Sequence, residues 1–145
     1  MTTSLRINPK RIRKDLEDLA KIGKTPDGGV HRPAFSPDEL RARKWLIARL
    51  KAAGLKTRVD GAGNIFGRME ISRKSAAAVL AGSHIDTVPN GGRFDGALGV
   101  LSVLEALRTI RESGAAIRHP VEVVAFTDEE GRFGGFLGSK AFTGD

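Results

Sequence analysis

The chain has 145 residues, 40% hydrophobic and 28% charged, with a net charge of +7 and no cysteine. Those values describe a single globular domain with a real core, and they exclude a disulfide framework, a thiolate nucleophile and any sulfur-based metal site. No apolar run approaches the roughly 18 residues of a membrane span, and the polar, basic stretch Met1 to Arg13 has no apolar segment of a secretory signal.

Asn8-Pro9 opens the first predicted helix, with Asn as N-cap and Pro in the first turn. Ile12, Leu16, Leu19 and Ala20 follow at helical spacing, and Gly23 is its stop. Lys24 to Phe35 is a loop longer than a plain connector needs, and long loops are often functional. Ser36-Pro37-Asp38-Glu39 starts a second helix with a capping box. Leu46, Leu50 and Ala53 form its apolar stripe, widened by Trp45 and Ile47, and Gly54 ends it. Lys56 to Asp60 and Asn64 to Arg68 flank Gly61-Ala62-Gly63 as a hairpin, and for Asn64 a turn role is preferred to that of a polar site residue. Met69 to Ser75 is a loop, and Ala76 to Ala81 is a buried strand, apolar throughout as parallel strands tend to be. Ala97 to Ser113 is a long helix with Val100, Leu101, Leu104 and Leu107 inward and Gly114 at its end. Pro120 opens a strand over Val121 to Thr127, the loop Gly131 to Gly138 follows, and Ser139 caps a last helix from Lys140. Strands alternating with helices predict an α/β sheet covered by helices.

The chemistry concentrates after the two apolar strands. In extended backbone, residues two apart point the same way, so His84 and Asp86 share a side. A carboxylate there can accept the imidazole N–H and leave the other nitrogen free for a metal. Asp95 stands at the start of the Ala97 helix and can face back to the strand end, while Glu129 and Glu130 follow the second strand. Open α/β sheets bind ligands beyond the carboxyl ends of their strands. Acids converging there would repel one another unless a divalent cation offsets them. A set of imidazole and carboxylates suits zinc, manganese or cobalt. Two cations sharing a carboxylate suit hydrolysis, with one acid kept free as the base, and Glu129 and Glu130 can divide those roles.

Simpler readings exist for each residue alone. His84 could be a hydrogen-bonded loop histidine, Asp95 only an N-cap, and Glu129-Glu130 a solvated turn. Their common placement after strands favours the site. The basic charge does not mark a nucleic-acid binder, because acids are interspersed, as in Arg11 to Lys14 followed by Asp15, Glu17 and Asp18. Gly134 to Lys140 has the wrong order for a phosphate loop, and Gly61, Gly63 and Gly67 miss the dinucleotide spacing. His31 and His119 have no acidic neighbours and read as surface or loop residues.

The run from Gly82 through His84, Asp86 and Asp95 to Gly96 resembles the hydantoinase/carbamoylase branch of the M20 metallopeptidase family. So do Gly29 to Ser36, Asp60 to Gly67, Phe126 to Phe133 and Leu137 to Phe142. That branch holds N-carbamoyl-L-amino acid hydrolases, allantoate amidohydrolases and related ureido-acid hydrolases. The resemblance implies a three-layer α/β/α catalytic domain of the zinc-peptidase type. Residues 1–145 would be its N-terminal part, with the lid and dimerisation domain absent. It implies that His84 binds one metal, Asp95 bridges two, Glu130 binds the second, Glu129 is the general base and Asp86 orients His84. The cofactors would be two divalent ions, zinc, manganese or cobalt. The reaction would be hydrolysis of a linear C–N bond in a small N-carbamoyl or ureido acid, in a cytoplasmic enzyme whose full-length relatives are homodimers. The loop Gly131-Arg132-Phe133 departs from the branch by lacking a small residue before Arg-Phe, and the other metal-binding histidines would lie beyond this chain. The expected alternatives are a peptidase of the same family or a non-catalytic remnant prone to aggregation.

Overall fold

The computed structural model describes residues 4–71 and 77–145. Helix α1 spans Pro9–Ala20 and α2 Pro37–Ala52; strands β1 (Lys56–Val59) and β2 (Ile65–Met69) form the hairpin. Then come β3 (Val79–His84), α3 (Ala97–Ser113), β4 (Val121–Phe126) and α4 (Leu137–Thr143). The sheet order is β1-β2-β4-β3. The β1–β2 and β2–β4 pairs are antiparallel, and β3–β4 is parallel.

Local chemistry explains the helix starts. The Asn8 side chain accepts the N–H groups of Lys10 and Arg11, and Ser36 accepts that of Glu39. Glu39 reaches back to the Phe35 N–H at 3.1 Å, completing a capping box one residue earlier than the usual pattern. Leu19, Ala42, Leu46, Leu50, Leu101, Leu104 and Leu107 bury one core with Ile65, Met69, Val123 and Ala125. Helices α1, α2 and α3 therefore cover one face of the sheet. The alternation of side chains puts Phe66, Val124 and Phe126 on the other face. There Phe142 of α4 meets Phe66 and Phe126 with ring centroids at 5.8 and 6.0 Å. The α/β class is as expected, with helices on both faces and the second face covered at one end only by the described residues.

Three details depart from the sequence reading, and one stretch is not described. Ala76 and residues 72–75 of the predicted loop lie outside the described residues. The strand expected over Ala76 to Ala81 runs instead over Val79–His84, and among the described residues it lies at an edge of the sheet and is not buried, with Val79 54% exposed. Its ladder with β4 pairs Val79 with Val121 and His84 with Phe126, so register and not apolarity sets its ends. In α1, Ile12 and Leu16 are only half-buried, facing an open groove with Phe94 and Leu98, while the buried side includes Asp15. Asp15 pairs with Arg108, and Arg11 with Glu105 at 2.7 Å, so α1 meets α3 through ion pairs as well as carbon. Finally, α4 begins at Leu137 and not Lys140: the amides of Leu137 and Gly138 bond to the carbonyls of Asp128 and Thr127, and Ser139 caps nothing.

Candidate metal centre

Because β3 and β4 lie side by side and parallel, the residues after each strand emerge at the same edge of the sheet. Nature's common ligand position in open α/β sheets is that edge.

His84 ends β3 and is buried. Its Nδ1 lies 3.0 Å from the main-chain carbonyl oxygen of Asp86. A carbonyl only accepts, so the neutral ring carries its proton on Nδ1 and leaves the lone pair of Nε2 free for a metal. The Asp86 carboxylate is farther from Nδ1, at 3.7 Å. It turns instead to β4's loop, where it accepts the N–H of Glu129 at 3.4 Å and of Glu130 at 3.2 Å. Sequence parity placed the Asp86 carboxylate on His84; the geometry gives that contact to the Asp86 carbonyl.

Asp95 precedes α3 but does not cap it. The N-cap is Gly96, with no side-chain cap bond, and the Asp95 side chain is 65% exposed. Gly96 has φ +60°, and a Cβ there would sit 2.5 Å from Nδ1 and Cε1 of His84. Only glycine lets α3 start so close to the imidazole. The result brings Asp95 Oδ1 to 3.8 Å and Glu129 Oε2 to 3.4 Å from His84 Nε2. One donor atom from each of His84, Asp95 and Glu130 lies within 4.8 Å of the others, and among the described residues this is the group that could hold a metal ion.

Further residues hold these loops. Asp128 is buried at φ 53°, and its carboxylate accepts the N–H groups of Arg132, Phe133 and Gly134 at 2.7, 2.9 and 3.2 Å. Asn64 is buried and joins three segments: its Oδ1 accepts the Thr127 N–H, and its Nδ2 donates to the Gly138 carbonyl and to Asp60. The turn role expected for Asn64 thus extends to bracing the end of β4. The loop Lys24 to Phe35 is sewn to the loop after β3, with Val30 and Gly91 exchanging N–H and carbonyl bonds. The only advance signals were the length of that loop and the polar residues at the strand end.

The electrostatics fit a cation. Burial pushes the Glu130 carboxyl up; His84 opposes this, while the charges of Asp95, Glu129 and Asp86 add to it. Four carboxylates around one imidazole are mutually costly without a positive charge between them. The donor set, one imidazole nitrogen and carboxylate oxygens without sulfur, fits a divalent ion such as zinc, manganese or cobalt.

Fold and site together define an α/β chain with a histidine–carboxylate cluster that could hold a cation at adjacent strand ends. The family model of Peptidase family M28 matches residues 64–144, and the chain belongs to that family. The family is metal-dependent. Its relatives lie in the hydantoinase/carbamoylase branch that the motifs resemble. The chain is 47% identical over 141 residues to the N-carbamoyl-L-amino acid amidohydrolase of Geobacillus stearothermophilus, covering 95% of this chain and 34% of that protein. It is 42% identical over 132 residues to the allantoate deiminase of Arabidopsis thaliana, covering 87% of this chain and 25% of that protein. Among solved structures, a hydantoinase/carbamoylase family amidase from Burkholderia ambifaria superposes with a TM-score of 0.94 at 44% identity, over 98% of this chain and 36% of that one. The chain spans about a third of the length of the curated relatives it matches. Among the described residues, no helix is long and apolar enough to cross a membrane.

Proposed function

We propose that the chain is part of the catalytic domain of a metal-dependent amidohydrolase that cleaves linear C–N bonds of N-carbamoyl or ureido acids. The observation that carries this is the convergence of His84, Asp95 and Glu130, with Glu129 3.4 Å from His84 Nε2. The names of the N-carbamoyl-L-amino acid amidohydrolase and allantoate deiminase relatives support the substrate class.

In this reading His84 and Glu130 would each hold a divalent ion, and the exposed carboxylate of Asp95 would be shared between them. Divalent cations held there supply a lowered water pKa and stabilisation of negative charge on the substrate oxygen. Glu129 takes the proton of the attacking water and returns it to the leaving nitrogen. Asp86 fixes the loop that carries both glutamates. The partner is a small molecule, and a cysteine-free chain of this kind suits a reducing cytoplasm.

The test is ammonia release from N-carbamoyl-L-amino acids and from allantoate by this chain with zinc, manganese or cobalt added, with Glu129→Gln as control. Turnover that disappears in Glu129→Gln supports the reading. Metal binding without turnover supports a non-catalytic role. The M28 match favours peptide bonds as a second substrate class, so a dipeptide belongs in the same assay.

A further inference from the structure

Among the described residues Arg32 is the largest fully buried side chain, at 1% exposure, and none of their carboxylates lies within ion-pair distance of it. Its guanidinium is spent on main-chain carbonyls. Nε donates to Ile85 at 2.7 Å, and Nη1 donates to Leu19 at 3.0 Å and Ile22 at 2.9 Å. Leu19 lies in the last turn of α1 and Ile22 two residues past its end, where the carbonyl end of a helix favours a cation. Its main chain works on the same segment. The Arg32 N–H donates to Thr87 Oγ1 at 2.8 Å, and the Thr87 N–H donates to the Arg32 carbonyl at 3.0 Å. Thr87 Oγ1 in turn donates to the Val30 carbonyl at 3.1 Å.

Arg32 therefore grips the residues on both sides of Asp86. The Ile85 carbonyl is held by the guanidinium and Thr87 by the main chain, which leaves the Asp86 peptide a single orientation. That orientation points the Asp86 carbonyl at His84 Nδ1 and its carboxylate at the Glu129 and Glu130 amides. We propose that Arg32 is a positioning residue for metal binding: by clamping Ile85 and Thr87 to the end of α1, it keeps the Asp86 carbonyl on His84 Nδ1 and so reserves Nε2 as the ligand. A planar fork with several fixed donors can hold carbonyls from two segments at once, and an ammonium on a flexible stem cannot reproduce it.

This inference rests on the metal reading of the cluster, and its test separates the two. Zinc affinity is measured by competition with a chromophoric chelator, and the His84 ring nitrogens are followed by ¹⁵N NMR in the metal-free chain. In Arg32→Lys we expect zinc affinity to fall by about 10-fold or more, the range seen when groups orienting a ligand are lost. The His84 shifts should move from a single Nδ1–H tautomer to a mixture. Thr87→Val, which keeps the guanidinium, should move both readouts in the same direction but less. Met69→Ala, a core truncation at the other end of β2, should lower the urea midpoint and leave both readouts as in the wild type. Unchanged zinc affinity and unchanged His84 shifts in a folded Arg32→Lys overturn the proposal; if that variant does not fold, wild-type readouts in Thr87→Val overturn it. Failure of the wild-type chain to bind zinc refutes the metal reading instead, and the tautomer shift still decides the role of Arg32.

Discussion

Asp86 Oδ2 accepts the main-chain N–H of Glu130 at 3.2 Å, across 44 residues of sequence. One carboxylate at the end of β3 thus fixes the peptide that carries the acids after β4. Replacing it with an amide leaves one oxygen and sets an NH₂ against a backbone N–H. Asp86→Asn is expected to lower zinc affinity by about 10- to 100-fold and stability by about 1–3 kcal/mol. Chelator competition and urea unfolding measure the two effects, and wild-type zinc affinity would remove Asp86 from the site.

The adjacent glutamates are expected to separate. Glu129→Gln should keep zinc affinity and lower turnover by about 100-fold or more, the scale of a lost general base. Glu130→Gln should weaken zinc binding itself. Titration and rate on the same preparations distinguish them, and the reverse pattern would exchange their roles.

Gly96→Ala tests the close approach of α3 to His84. The positive φ costs a β-carbon residue about 1–3 kcal/mol, and the added carbon also displaces the imidazole. Gly114→Ala also has a positive φ, 67° in the left-handed helical region, with open space around it, so it tests a β-carbon at positive φ without the collision. Zinc affinity should fall in Gly96→Ala and hold in Gly114→Ala; equal affinities would show that the ring tolerates the methyl group.

Acid stability should depend on Glu105. Burial raises its carboxyl, but hydrogen bonds from Arg11 and the Asn8 N–H, with the charges of Arg11 and Arg108, outweigh this and hold it below its ordinary value of 4.5. A depressed folded pKa contributes stability that is present above that ordinary value and lost as pH falls through the lower folded one. Burial of Glu39 raises its carboxyl and gives the opposite slope. The measurement is therefore the difference between wild type and Glu105→Gln in urea midpoint from pH 7 to pH 3, which should shrink toward low pH. A difference independent of pH would make Glu105 a packing residue only.

How much of this was legible in the sequence varies by interaction range. The limits of α3, Ala97–Ser113, coincide with expectation because apolar spacing and Gly114 mark both sides. The hairpin over Lys56–Val59 and Ile65–Met69 was legible from its glycine turn. Strand β3 was displaced because its ends follow its ladder with β4, and Gly82, Ser83 and His84 carry no apolar signal. His84, Asp95, Glu129 and Glu130 could be singled out because each follows a strand or precedes a helix, and the structure brings them together. Arg32 could not, since its bond to Ile85 spans 53 residues and loops have no period to read. Asp86 was read from its neighbour His84, while its carboxylate's partners lie across the sheet.

The place of β3 at the margin of the sheet has a last consequence. A terminal strand, half wetted along its length, is the first part of such a sheet to fray, and native-state hydrogen exchange should show its amides opening well below the global free energy. A cation gripping His84 from β3 and Glu130 from beyond β4 would act as a rivet between an edge strand and its interior neighbour. Occupancy at about 100 times Kd adds about 2.7 kcal/mol against any opening that parts them, so the ion that prepares the chemistry would also decide how long this edge strand stays closed.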